Sequence, residues 1–218
     1  MAVYTPIDET TVVALVADYG LGRLVRWHGI QEGVENSNFY VETSDARVIL
    51  TLYEKRVAAE DLPFFLAIMQ HLAARGVPCP TPLEDGSGRS LRAVAGRPAA
   101  CVTFLDGRSI RRIEPAHCRA LGAALAGLHV AGRDYAGVRV NDLALAGWQR
   151  LFERIGDRAD EVAPGLAAEL EGELESLAGI WPSGLPRGVI HADLFPDNVF
   201  FEGERVTGLI DFYFACTD

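Results

Sequence analysis

The chain has 218 residues, 49% of them hydrophobic, and carries 30 acidic against 20 basic side chains for a net charge of −10. That is enough apolar chain for one substantial core or two small ones, and an ordinary charged fraction of 23% excludes a disordered or fibrous protein. The acidic balance argues against a nucleic-acid footprint, which is built from clustered Lys and Arg.

The N-terminal MAVYTPIDET lacks the basic and apolar regions of a secretory signal, and no apolar stretch approaches the length of a bilayer span, so no membrane contact and a cytoplasmic location are expected. Residues 8–19, DETTVVALVADY, set Val12, Val13, Leu15 and Val16 near helical spacing, with Gly20 as the stop. RLVRWHGI (23–30), NFYVET (38–43) and RVILTLYE (47–54) are short and rich in β-branched and aromatic residues; Ser44-Asp45-Ala46 makes a tight turn between the last two. These predict an antiparallel sheet. A second helix is expected over 58–75, with Pro63 in its first turns and Gly76 at its end. RSLRAV and PAACVTFL add two strands around a turn at Ala95-Gly96-Arg97. Helical segments follow at 114–132, 142–155 and 164–180, where Trp148, Phe152 and Ile155 read as core and the glutamates from Glu169 to Glu175 as a solvated face. Cys79, Cys101, Cys118 and Cys216 show no CxxC pairing and read as buried free thiols. The predicted fold class is α+β, with a β-rich N-terminal lobe over 1–106 and a helical C-terminal lobe over 107–218.

The chemistry concentrates late in the chain, in VIHADLFPDNVFF (189–201). Two apolar runs read as buried strands, so the polar octet HADLFPDN between them is a loop at the rim of a core. His191, Asp193 and Asn198 have the H-x-D-x-x-x-x-N spacing of a phosphotransferase loop, in which an Asp takes the acceptor hydroxyl proton and an Asn five residues on holds magnesium. Phosphoryl transfer needs a carboxylate beside the attacking oxygen and a separate oxygen on the metal that neutralises the triphosphate; one short loop can aim both into one cleft. Thirteen residues after Asn198, Asp211 closes a further strand, VTGLI, that follows the Glu202-Gly203-Glu204 turn, as kinases present a second metal carboxylate.

HADLFPDN with IDF resembles the protein kinase loop and, with Ala192 in place of an arginine, is more similar to the aminoglycoside phosphotransferase and choline kinase superfamily. GVENSNFYVET, RVILTLYEKR, DLPFFLAIMQHLAARGVPCPTP, LGAALAGLHVAG and IDFYFACTD extend the resemblance along nearly the whole chain, to the homoserine kinase family of this protein-kinase-like two-lobe fold. The resemblance implies transfer of the ATP γ-phosphate to L-homoserine, with Asp193 as base, His191 bracing the catalytic loop, and Asn198 and Asp211 on Mg2+. It leaves sister families with choline, aminoglycoside or methylthioribose as acceptor as alternatives. Asn36, Ser37 and Asn38 stand where a phosphate-covering loop would lie. Where kinases carry a strand lysine, this chain has Thr51, with Lys55 four residues on and on the same face by strand alternation; Glu60 and Asp61 read as ordinary helix-start acids. The backbone from Thr103 to Leu105 is placed to hold adenine. The chain ends seven residues beyond Asp211, whereas similar proteins continue with further helices, so a shortened chain, with nucleotide binding but no turnover as one outcome, is also an expectation.

Overall fold

A computed structural model describes residues 3–31, 35–54 and 57–218. Helix α1 (Glu9–Asp18) starts at Asp8, whose carboxylate accepts from the Thr11 amide at 2.8 Å, and stops before Gly20 at φ 63°. Strands β1 (Leu24–Gly29), β2 (Ser37–Thr43), β3 (Arg47–Leu52), β4 (Arg92–Val94) and β5 (Arg97–Thr103) form one antiparallel sheet in the order β1-β2-β3-β5-β4. Between β3 and β4 lies α2 (Leu62–Ala73).

Strand period decides what each face of this sheet buries. Val48, Leu50 and Leu52 of β3, with Ala99 and Cys101 of β5, join Val12, Leu15, Val16 and Tyr19 in a core under α1. The alternate positions lead the other way. Ala100 of β5, with Tyr53 just past β3, belongs to a second core with Phe65, Leu66, Ile68, Met69 and Leu72 of α2. That core continues into the C-terminal half through Leu128, Val199, Phe201, Leu209 and Phe212, so one apolar mass underlies the cleft between the sheet and the helices.

The C-terminal half consists of α3 (Pro115–Ala131), α4 (Leu145–Ile155), α5 (Leu166–Ile180) and short strands β6 (Val189–Ile190), β7 (Val199–Glu202), β8 (Arg205–Leu209) and β9 (Cys216–Thr217). β7 and β8 form a hairpin, while β6 pairs with β9 and returns the chain after Asp211 to the strand that enters the HADLFPDN loop. Val140 bridges Thr217 from the other side. Arg108 and Phe201 exchange backbone bonds of 3.2 and 2.9 Å, which pins the segment leaving β5 to β7 of the hairpin.

Several elements differ from the sequence reading. Helix α2 starts at Leu62 rather than residue 58: Ala58 to Asp61 make only isolated turns, and Pro63, which has no N–H to give, sits at the start of the helix. The hairpin between β4 and β5 turns on Ala95 and Gly96 alone, at φ 48° and 74°, a two-residue loop that leaves Arg97 in the strand. Cys118 is exposed, unlike the other three thiols. Trp148 and Ile155 are 37% and 45% exposed and are not core; Trp148 stacks edge-on against Trp181 instead. No helix among the described residues is long and apolar enough to cross a membrane.

Candidate active site

The loop after β6 is held by its own polar side chains. Ala192 adopts φ 65°, a left-handed conformation uncommon for a residue with a Cβ and costly unless the surroundings enforce it. Past it the chain bends: the Phe195 amide donates to the Asp193 carbonyl at 2.9 Å, and Pro196–Asn198 makes one 3-10 turn. Asn198, buried at that turn, donates from Nδ2 to the Asp193 carbonyl at 2.8 Å and to its Oδ2 at 3.0 Å. The five-residue spacing thus brings amide and carboxylate into direct contact. Burial raises the Asp193 pKa, the Asn198 bond lowers it, and the carboxylates of Asp197 and Glu35 raise it further.

His191 is closed off from solvent at 1% exposure. Its Nε2 donates to the Ile210 carbonyl at 2.9 Å and its Nδ1 accepts from the Asp193 amide at 3.3 Å, while Phe212 packs on the ring with centroids 4.5 Å apart. Burial drives the imidazole pKa down to about 4, so the ring is neutral. A neutral ring with both nitrogens engaged has no proton to exchange with an acceptor; its two bonds tie the loop to the end of β8.

Asp211 follows directly. It is left-handed, at φ 66°, and its Oδ1 is buried with no hydrogen-bond partner among the described residues. Burial pushes its pKa up to about 6, with the carboxylates of Glu35 and Asp193 adding to the rise. A buried carboxylate oxygen beside two further acids, with no donor to it among the described residues, suits a cation. The residues present fit a divalent cation: among the described residues nothing binds Asp211 Oδ1, and Asn198, whose Nδ2 is spent on Asp193, has its amide Oδ1 to offer. Hard oxygen donors supplied by one or two carboxylates are what Mg2+ takes beside phosphates.

The predicted phosphate loop behaves differently. Ser37 Oγ accepts from the Tyr4 and Thr5 amides at 2.9 and 3.0 Å and donates to Glu54 at 2.8 Å, which leaves it at 0% exposure. Asn36 accepts from the Glu54 amide, and Asn38 Oδ1 from Thr51 Oγ1 at 2.8 Å. These side chains tie the start of β2 to the N-terminal segment, Thr51 and Glu54, and the Ser37 hydroxyl has no surface to give. Thr51 is buried on the sheet face opposite α1. β3 ends at Leu52, and Lys55 lies outside the described residues. The Thr103 amide already donates to the Thr81 carbonyl at 2.9 Å, whereas the Leu105 amide makes no hydrogen bond among the described residues.

Three participants escaped the sequence reading. Tyr213, two residues past Asp211, meets Tyr53 hydroxyl to hydroxyl at 3.3 Å and edge to face at 5.3 Å, and so ties the segment after Asp211 to the end of β3. Arg139 binds Asp61 at 2.7 Å across 78 residues of sequence. Nothing in local pattern announces either contact; only the Arg and Asp types hinted at pairing.

The phosphotransferase enzyme family matches residues 26–218. Homoserine kinases of Methylorubrum populi and Xanthobacter autotrophicus are 57% and 56% identical over all 218 residues, which span 68% of each relative's length. Among solved structures, an amicoumacin kinase in complex with AMP-PNP and Ca2+ superposes with a TM-score of 0.72 at 14% identity, covering 97% of this chain and 66% of that one. The aminoglycoside phosphotransferase APH(4)-Ia does so with a TM-score of 0.71 at 18% identity, covering 97% and 73%; at such identities the likeness is one of fold. By family match and by identity, the chain belongs to the phosphotransferase enzyme family and, within it, to the homoserine kinases.

Proposed function

We propose that the chain transfers the γ-phosphate of ATP to the hydroxyl of L-homoserine, giving O-phospho-L-homoserine for threonine biosynthesis in the cytoplasm. The observation that carries this reading is the contact of Asn198 with Asp193 in a loop braced by His191 against the segment that ends in Asp211, whose buried Oδ1 has no hydrogen-bond partner among the described residues.

In this reading Asp193 is the base. Its raised pKa makes it a better proton acceptor, and the bond from Asn198 aims the carboxylate. The homoserine oxygen forms a bond to the γ-phosphorus, its proton passes to Asp193, and the bond from the γ-phosphorus to the bridging oxygen breaks to release ADP. Asn198 and Asp211 would hold Mg2+, which would supply neutralising charge to the triphosphate. The Leu105 amide serves adenine, and Lys55 serves the phosphates. Residues 1–106 form the nucleotide lobe and 107–218 the acceptor lobe.

Incubation with Mg2+, labelled ATP and a panel of homoserine, choline, methylthioribose and an aminoglycoside tests the assignment. Phosphohomoserine is the expected product. Product from another acceptor and none from homoserine would move the chain to a sister specificity.

A further inference from the structure

Beside the catalytic loop opens a cavity of about 410 Å3 whose wall includes Asp61, Phe65, Arg139, Asn141, Asp142 and Ala192. Ala192 immediately precedes Asp193, and Tyr213 and Phe214 from the segment after Asp211 complete the wall, so the cavity opens next to the proposed base. It is the place an acceptor would occupy.

Its polar groups are fixed rather than draped. The Arg139 backbone is sewn to β9, with the Thr217 amide donating to its carbonyl at 2.7 Å, and Asn141 Nδ2 donates to Asp218 Oδ2 at 2.6 Å. The guanidinium lies over the Phe65 ring at 5.2 Å, donates from Nε to Asp61 at 2.7 Å and from Nη2 to Asp142 at 3.4 Å, and is 19% exposed. Nη1 makes no hydrogen bond among the described residues. A guanidinium has five N–H donors in a rigid fork, so this one, clamped on two sides, still offers a face to an anion.

Among the described residues, the charges facing the cavity are one guanidinium and the carboxylates of Asp61, Asp142 and Glu35. An acceptor with only a cation would need the acids and not the arginine; an acceptor with only a carboxylate would meet repulsion from the acids. A molecule with both, a zwitterionic α-amino acid, matches the set. We propose that this cavity seats the head group of the amino-acid acceptor, with Arg139 facing its carboxylate and Asp61 and Asp142 its ammonium. The inference rests on the reading above that the acceptor is homoserine, and it assigns these residues as those that set selectivity.

The test is calorimetric titration of the chain, saturated with Mg2+ and a nonhydrolysable ATP analogue, with three ligands: L-homoserine, 3-aminopropan-1-ol, which lacks the carboxylate, and 4-hydroxybutyrate, which lacks the ammonium. Arg139→Gln should weaken homoserine and 4-hydroxybutyrate about ten- to a hundredfold, as loss of a charged hydrogen bond does, and leave 3-aminopropan-1-ol within about twofold; Arg139→Lys should recover part of the loss. Asp142→Asn should weaken homoserine and 3-aminopropan-1-ol and spare 4-hydroxybutyrate. Equal losses on all three ligands, no loss on any, or a wild-type chain that binds the nucleotide but none of the three would overturn the assignment. A chain that binds no nucleotide with Mg2+ would instead sink the phosphotransferase reading on which it stands.

Discussion

His191 Nε2 donates to the Ile210 carbonyl across 2.9 Å, nineteen residues away in sequence, and so fixes the distance between the two carboxylates that flank the cleft. Its other nitrogen takes the Asp193 amide. Replacing it with Phe keeps the volume and the packing on Phe212 but leaves the Ile210 carbonyl and the Asp193 amide without partners. We expect a loss of roughly 2–4 kcal/mol in urea unfolding, with kcat falling more than the KM for ATP changes. Unchanged stability would mean that water replaces the ring without cost.

Asp193→Asn removes the proposed proton acceptor while retaining shape. Nucleotide affinity should stay within about twofold, and kcat should fall by a factor of about 10² to 10⁴, the usual worth of a positioned base. Equal loss of binding and turnover would assign Asp193 to the loop's structure.

The loop was legible because its pattern is local: Asp193 and Asn198 meet within five residues. What local pattern could not carry was pairing over long separations. Arg139 finds Asp61, and Ser37 is consumed by the Tyr4 and Thr5 amides, because α2 and the N-terminal segment fold over residues far from them. The apolar stripe of α4 misled for a related reason: helical spacing states that a face is apolar, not that the described chain covers it.

Lys55 is the single lysine of the chain. If it serves the phosphates, an acyl-phosphate derivative of ATP should acylate the protein once, at Lys55, with competition by ATP, and Lys55→Met should raise the KM for ATP about tenfold or more. Labelling at the N-terminus alone would remove the lysine from the site.

Asp211 predicts a pH dependence of known sign in the metal-free chain. Its folded pKa of about 6 lies above the ordinary 3.8, so the folded state binds the proton more tightly than the unfolded one. That contribution is fully present below 3.8 and is lost as the pH rises through 6, by up to about 3 kcal/mol. His191 works oppositely, its contribution present above its ordinary 6.5 and lost as the pH falls through about 4, so only a comparison with Asp211→Asn isolates the carboxylate. In urea unfolding without divalent ions the variant should match the wild type at pH 4 and exceed it at pH 8. Adding Mg2+ at pH 8 should close the gap by stabilising the wild type alone. Parallel curves for the two proteins would show that Asp211 is not burdened by its charge.

Gly147 gives a test of the acceptor side that does not touch charge. It sits in the first turn of α4, where an added Cβ would lie 1.8 Å from the Asp142 carbonyl oxygen. A backbone atom cannot swing aside as a side-chain tip can. Glycine to alanine inside a helix ordinarily gains up to about 1 kcal/mol, and Gly127 of α3, where an added Cβ meets nothing within 4 Å, should show that gain. At Gly147 the sign should reverse, with a loss of about 1–3 kcal/mol from overpacking and a weakened homoserine titration as Asp142 is pushed from the cavity wall. ATP-analogue affinity should be unaffected, because the catalytic loop and Asp211 hang from β6 and β8 rather than from α4. A Gly147→Ala chain as stable as the Gly127→Ala chain, with homoserine bound as before, would mean that α4 can slide along the 139–142 segment without disturbing the site.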